Sequence, residues 1–234
     1  MTRRVLEAVF IEFEGVLADT AVARRDALAY VLSEDGLQLS DDDYRDACAG
    51  RPIGDAVRAA IARCGVTLDE TALELLALRA ERAFSSYLGK GIMLVDGARE
   101  AIERLASRVR LGIVTRAGRR DVEFVLNLAR MEDFFSCVVG VEDAFPPKPD
   151  AAAYHAAMRR LARRRPIGDD GVVVALEDSL DGIRGAMSAG LRTVAVGDLP
   201  AHVAMEADAL IPAITGLDAQ AVERLVARIG EEFA

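Results

Sequence analysis

The chain has 234 residues, of which 52% are hydrophobic, and it carries 29 Lys and Arg against 38 Asp and Glu, a formal net charge of −9. This acidic balance argues against a nucleic-acid-coating protein, so we expect no nucleic-acid partner. No apolar run approaches the roughly 20 residues of a transmembrane helix, and we expect no membrane association. The three cysteines match no metal-binding or disulfide spacing, which favours a cytoplasmic protein.

Short runs rich in Val and Ile recur along the chain, and helical patterns lie between the later ones. The predicted strands, the last of them weaker, are residues 8–13, 109–115, 137–141, 172–176, 193–196 and 209–211. The predicted helices between them are residues 98–107, 120–130, 151–164 and 181–189. Strands alternating with helices predict an α/β fold with a parallel sheet covered on both faces. The uninterrupted apolar run 172–176 predicts a central, fully buried strand.

The segment after the first strand has a different pattern. From Asp19 to about Leu88 there is no β-branched run, only helical periodicity broken at glycines and prolines. We therefore predict an α/β core domain over residues 1–18 and 91–234 and an inserted helical cap domain over residues 19–90. Within the insert, residues 67–70 match a capping box and predict a helix over residues 72–87 with Thr67 as its cap.

Polar residues follow several of the predicted strands. They are Glu12 and Glu14, Thr115 and Arg116, Lys148, and Glu177 with Asp178. Ligands of open parallel sheets bind beyond the carboxyl ends of the strands, so we expect these side chains to converge. Converging carboxylates with one lysine repel each other unless a divalent cation joins them. Mg²⁺ and a phosphate ester fit this inventory, although each acidic pair alone is equally consistent with a solvated strand end.

Four segments carry a resemblance to a known family. They read FIEFEGVLADT over 10–20, VTR over 114–116, PKPD over 147–150 and LEDSLDG over 176–182. In this order they resemble motifs one to four of the haloacid dehalogenase (HAD) superfamily, in its phosphoglycolate phosphatase and β-phosphoglucomutase branch. The family's motif one is normally written DxDGxLxDT. The order, the spacing and the helical insert after motif one agree, and the resemblance covers nearly the whole chain.

This resemblance implies a Rossmann-like core with a helical cap, and Mg²⁺-dependent phosphoryl transfer from a small phosphorylated metabolite through an acyl phosphate. The first carboxylate of motif one is the nucleophile, here Glu12, and Glu14 takes the place of the general acid and base. Thr115 and Lys148 would hold the phosphoryl oxygens. The resemblance assigns Mg²⁺ to Glu12, the Glu14 carbonyl, Asp178 and nearby Glu177.

The family has aspartate at the positions of both Glu12 and Glu14. Each is longer here by one methylene, about 1.5 Å of bond length, and a displacement near 1 Å can cost about a hundredfold in rate. Two functions therefore stay open. The first is a HAD-type phosphoric monoester hydrolase that uses Glu12. The second is a catalytically degenerate HAD-fold protein, a pseudoenzyme, that binds a phosphorylated ligand or a protein partner.

Two arginines are candidate specificity residues. Arg116 stands where the resemblance has a small polar residue, so it either contacts phosphate or pairs with Glu12 or Glu14. Arg51 lies in a loop over residues 50–55, at the place of the family's specificity loop, where it either reads a second anionic group or is a surface arginine in a turn. The tyrosines fall at helical spacings and are interpreted as packing groups. We expect a monomer or a homodimer.

Overall fold

The structure is a computed structural model that describes residues 2–49, 51, 53–88, 94–227 and 231–233. The chain divides into two compact units, Met1–Ala18 with Leu94–Ala234 and Asp19–Met93. The predicted core and cap domains divide at residues 18 and 19, as these units do. The second boundary between the predicted core and cap domains, at residues 90 and 91, lies outside the described residues. The assignment of the insert as a cap stays a prediction.

The first unit is built on a parallel β-sheet. Its described strands are β1 (Thr2–Ile11), β2 (Arg110–Val114), β3 (Phe135–Val139), β4 (Gly171–Glu177), β5 (Arg192–Val196), β6 (Ala209–Ile211) and β7 (Glu231–Phe233). The strand order is β3-β2-β1-β4-β5-β6, and β7 pairs with the start of β1. Every pairing between these strands is parallel. The predicted α/β class with a Rossmann-like parallel sheet is confirmed.

Strand β1 lies between β2 and β4, and the register of these pairings aligns their carboxyl ends. Ile11 is opposite Ile113 of β2 on one side and Leu176 of β4 on the other. The apolar run of β4 is buried from residue 172 to residue 177, which confirms the predicted central strand. The residues that follow β1, β2 and β4 therefore emerge side by side at one edge of the sheet.

Helices connect the strands of this unit. They are α5 (Ala98–Ala106), α6 (Arg119–Ala129), α7 (Ala152–Ala162), α8 (Leu180–Ser188), α9 (Ala201–Ala204) and α10 (Ala219–Val226). Helix α7 buries Tyr154, Ala157 and Leu161, at the i, i+3, i+7 spacing of one helix face, in a cluster with Phe10 and Val139 of the sheet. This packing directs the inner face of α7 toward β1.

The second unit is helical throughout its described residues. Its helices are α1 (Ala21–Glu34), α2 (Asp41–Asp43), which continues as a π-helical turn over Tyr44–Cys48, α3 (Ile53–Arg63) and α4 (Glu70–Leu88). Helices α1 and α4 pack together, with the buried Arg24 guanidinium 4.7 Å from the centre of the Phe84 ring.

The start of α4 corrects one sequence prediction. Thr67 is not its cap, because the helix begins at Glu70 and the Asp69 side chain accepts a hydrogen bond of 2.8 Å from the Ala72 N–H. An Asp immediately before a helix is as good a cap as the Thr at the start of the box.

Among the described residues, no helix combines the length and apolar character needed to cross a membrane.

Candidate active site

The candidate site lies at the carboxyl edge of the sheet, where three strand ends meet. Glu12 follows β1, Thr115 follows β2, and Glu177 is the last residue of β4. The strand pattern extends one residue beyond β1 and β2, because the Glu12 N–H donates to Leu176 O and the Thr115 N–H to Val139 O, both at 3.0 Å. All three side chains are buried. The sheet therefore fixes their backbones before any side-chain contact forms.

Lys148 joins these strand ends. It lies between β3 and α7, and its buried ammonium donates to Glu12 Oε2 at 2.7 Å, to Glu177 Oε1 at 2.5 Å and to Val114 O at 2.8 Å. These three bonds use all three hydrogens of the ammonium. Burial lowers the pKa of Lys148, but the charges of Glu12 and Glu177 outweigh it, and the pKa is raised above its ordinary value. Lys148 is thus a protonated, fully coordinated cation at neutral pH.

The Glu12 carboxylate is held by three donors. Oε1 accepts from the Phe13 N–H at 2.8 Å and from the Thr115 hydroxyl, and Oε2 accepts from Lys148. Thr115 Oγ1 in turn accepts from the Ala117 N–H at 3.1 Å. This arrangement fixes the carboxylate, and it also uses Thr115 and Lys148, the two donors that the motif resemblance assigns to phosphoryl oxygens.

Glu177 is completely buried and faces the first unit's interior. Its Oε1 accepts from Lys148 and from the Tyr154 hydroxyl, and its Oε2 accepts from Ser179 Oγ at 3.3 Å. Burial and the Glu12 charge raise the pKa of Glu177, against the opposing charge of Lys148. A Cβ at Gly182 would collide with this carboxylate. The glycine of the fourth motif is therefore required for the position of Glu177.

Tyr154 is a site residue that the sequence interpretation placed in packing alone. Its ring does pack, with its centroid 6.2 Å from that of Phe10, but its hydroxyl also donates to Glu177. Burial and the Glu177 charge raise the pKa of Tyr154 well above its ordinary value, so the hydroxyl stays protonated and acts as a donor. Helical spacing predicts that Tyr154 lies on the inner face of α7, but spacing alone does not indicate which group its hydroxyl contacts.

Asp178 differs from its neighbours because, in the part of the chain that the structure describes, its carboxylate accepts no hydrogen bond. Burial, with the charges of Glu12 and Glu177 adding to it, raises the pKa of Asp178 to about 7, while Lys148 and Arg116 oppose the rise. Gly15, at φ +77°, approaches this carboxylate so closely that a Cβ there would collide with it. Because no described residue donates a hydrogen bond to it, the Asp178 carboxylate has oxygens available to a metal ion.

This donor chemistry fits a hard divalent cation such as Mg²⁺. Glu12 and Glu177 share the single ammonium of Lys148, and the charges of both carboxylates also act on nearby Asp178, so the three carboxylates carry more negative charge than Lys148 balances. No group of three or more His, Cys, Asp or Glu side chains in the described residues is arranged to hold a metal ion, and Glu177 is already bound by Lys148. Mg²⁺ typically takes one or two carboxylates, with phosphate and water completing its shell. Asp178 and Glu12 could supply these carboxylates.

The remaining candidate residues are Glu14, Arg116 and Arg51. Glu14 is half-buried, and its backbone forms a bridge with Ala18. Arg116 forms an ion pair of 3.5 Å with Asp181 of α8, a partner that neither sequence alternative included. Arg51 is exposed and belongs to the second unit, and residues 50 and 52 beside it lie outside the described residues. The role of Arg51 in specificity stays a prediction.

Comparison with known proteins agrees with the motifs and the fold. Residues 9–196 match the family model of haloacid dehalogenase-like hydrolases. The chain belongs to this family. The resemblance seen in the four motifs is thereby confirmed.

This HAD-like hydrolase has similar relatives across most of its length. A phosphorylated carbohydrates phosphatase of Thermotoga maritima is 28% identical over 195 residues, which are 81% of this chain and 84% of that protein. Protein CbbY of Rhodobacter capsulatus is 27% identical over 198 residues, with the same two coverages of 81% and 84%. The crystal structure of CbbY from Rhodobacter sphaeroides in complex with phosphate has a TM-score of 0.80 at 20% identity and covers 94% of this chain and 100% of that one. This last similarity shows a shared fold.

Proposed function

We propose that this HAD-like chain is a Mg²⁺-dependent phosphatase that hydrolyses a small phosphorylated metabolite, with Glu12 as its nucleophile. The observation that carries the proposal is the placement of the Glu12 carboxylate. It lies at the junction of three strand ends, where the Phe13 N–H, Thr115 and Lys148 orient it. A fixed carboxylate beside a protonated lysine is suited to attack on an electrophile that develops negative charge.

A phosphorylated sugar is the substrate class that we favour. The similar protein of Thermotoga maritima is named for its action on phosphorylated carbohydrates, and the similar fold of CbbY has been crystallised with phosphate. The charges of the site support an anionic substrate that binds together with a cation, because Lys148 does not neutralise all the negative charge of Asp178 and Glu12.

In this mechanism Glu12 attacks the phosphorus atom, the bond to the ester oxygen breaks, and a glutamyl phosphate forms. Glu14 donates a proton to the leaving oxygen and then takes one from the water that hydrolyses the glutamyl phosphate. Thr115 and Lys148 exchange their hydrogen bonds to Glu12 for hydrogen bonds to the phosphoryl oxygens as charge develops on them. A bound Mg²⁺, held by Asp178 and Glu12, would neutralise phosphoryl charge.

A second function has its own supporting observation. Glu12 accepts hydrogen bonds from both Thr115 and Lys148, so a phosphoryl group must replace Glu12 at these donors before it can react. A protein in which that exchange ends in binding, without attack by Glu12, would be a phosphate-binding pseudoenzyme. This alternative predicts stabilisation by a phosphorylated ligand without turnover.

Phosphate release separates the two functions. Purified protein would be assayed with Mg²⁺ across a panel of phosphorylated sugars and organic acids, beside Glu12→Gln and the matched control Glu132→Gln, which makes the same change at an exposed position. Turnover that Glu12→Gln abolishes and Glu132→Gln retains supports the phosphatase. A folded wild-type protein that is silent across the panel, but whose melting temperature rises with a panel member, supports the pseudoenzyme instead.

A further inference from the structure

Tyr154 touches Lys148 and Glu177 in two different ways. Its hydroxyl donates to Glu177 Oε1, the same oxygen that accepts from Lys148 Nζ. The ammonium also lies 5.3 Å from the centre of the Tyr154 ring, within the range of a cation–π interaction. The residue is 1% exposed, and its ring is tilted by 50° against Phe10 of β1. Packing against the central strand therefore fixes both the ring and the hydroxyl.

We propose that Tyr154 is a positioning residue for Lys148. By donating a hydrogen bond to Glu177, the Tyr154 hydroxyl weakens the attraction of Glu177 for the ammonium, so that Lys148 stays hydrogen-bonded to both Glu177 and Glu12. The proposal rests on the proposed function for its effect on turnover, but not for its effect on the position of the ammonium. Tyr154 contacts no substrate in this scheme and acts only through its two neighbours.

The physical argument is a competition for one cation. Glu12 and Glu177 both accept from Lys148, and Glu177 holds the shorter bond, 2.5 Å against 2.7 Å. In a buried site with low dielectric, an oxygen that loses one of its two donors attracts the remaining donor more strongly. Without the Tyr154 hydroxyl, Lys148 would move toward Glu177 and away from Glu12. The nucleophile would lose its cation and the phosphoryl oxygens their donor.

Tyr154→Phe tests this competition because it removes the hydroxyl and keeps the ring. Tyr30→Phe is the matched control: it removes a hydroxyl that donates to Glu34 at 2.9 Å on the exposed surface of the second unit. Both variants must melt within a few degrees of the wild type, which shows that they are folded.

The position of the ammonium can be read without any turnover. The sequence has only two lysines, Lys90 and Lys148, so nuclear magnetic resonance of protein labelled with ¹⁵N-lysine gives two side-chain signals, assigned with Lys90→Arg. We expect Tyr154→Phe to shift the Lys148 ammonium signal and Tyr30→Phe to leave it in place. A Lys148 signal that is the same in wild type and Tyr154→Phe overturns the proposal.

Kinetics then test whether Tyr154 acts through Glu177. We expect Tyr154→Phe to lower kcat about tenfold or more, as the loss of an outer-shell partner commonly does, with KM within about twofold. Because the two residues act as one unit, Tyr154→Phe should cost little further activity when added to Glu177→Gln. Losses that multiply in the double variant contradict the proposal. A wild type without turnover would refute the phosphatase function, while the ammonium signal would still decide the role of Tyr154.

Discussion

The length of the Glu12 side chain can be tested by removing one methylene with Glu12→Asp. In the structure the Glu12 carboxylate reaches Thr115 Oγ1 with one oxygen and Lys148 Nζ with the other. Shortening the side chain withdraws the carboxylate by about 1.5 Å of bond length. A hydrogen bond does not survive an increase of that size, so we expect Thr115 and one hydrogen of Lys148 to become available to a phosphoryl group.

This change has two effects of opposite sign. A reacting atom displaced by about 1 Å can cost about a hundredfold in rate, and the extra methylene of Glu12 causes a displacement of this order. Because Glu12→Asp removes the displacement, the variant is expected to have a kcat about tenfold to a hundredfold higher. Buried donors that lose their acceptor cost roughly 1–3 kcal/mol each, and relaxation recovers part of that cost. The free energy of unfolding is therefore expected to fall by roughly 2 kcal/mol. The variant should be faster and less stable than the wild type.

Two measurements check these effects. Phosphate release with Mg²⁺ gives kcat for the wild type, Glu12→Asp and the exposed control Glu132→Asp, and urea unfolding gives the stability of the same three proteins. If Glu12→Asp is no faster than the wild type, the longer side chain does not hinder the reaction and the reasoning is wrong. If the stability is unchanged, Thr115 and Lys148 do not depend on the Glu12 carboxylate.

Three further changes test the site's electrostatics and packing. In metal-free protein the pKa of Asp178 rises from 3.8 in the unfolded chain to about 7, so its contribution favours folding at low pH and is lost as the pH rises toward 7. Urea unfolding at pH 5 and at pH 8 gives two free energies of unfolding, and Asp178→Asn should reduce the difference between them by roughly 3 kcal/mol. An unchanged difference would exclude this titration. Gly182→Ala places a Cβ against Glu177 and should cost roughly 1–3 kcal/mol, whereas Gly54→Ala, with open space around it, should be neutral or slightly stabilising by the same assay. Lys148→Met should cost roughly 3–5 kcal/mol by leaving two buried carboxylates unpaired; a loss below about 1 kcal/mol would show that the ion pairs do not support the fold.

Much of the fold and of the candidate site follows from the sequence because the sheet topology dictates it. Residues that end neighbouring parallel strands meet at one edge, so the positions of Glu12, Thr115 and Glu177 could be read from their place after apolar runs. Lys148 was recognisable because lysine is rare in this chain. Both properties depend on local sequence and strand order, and these can be read from the sequence itself.

What the sequence did not provide are contacts that depend on the direction of individual side chains. The helical spacing of Tyr154 is the same whether or not its hydroxyl has a partner. Arg116 lies next to Thr115 in sequence, yet its ion pair is with Asp181 of a helix that follows a different strand. Likewise, β7 was not predicted because its Glu-rich sequence lacks the apolar run typical of a strand.

The central place of β1 in the sheet has a consequence for how the chain folds. This strand precedes its partners in the sequence: Val5 pairs with Gly171 of β4, and Arg4 pairs with Phe233 of β7. The individual helices of the second unit form through local hydrogen bonds and can begin early, whereas β1 pairs with strands that come much later in the sequence. Its apolar residues stay exposed during that interval, when an unpaired strand is prone to aggregation. Yield from a cell is thus expected to depend on how quickly the last third of the chain reaches the first ten residues.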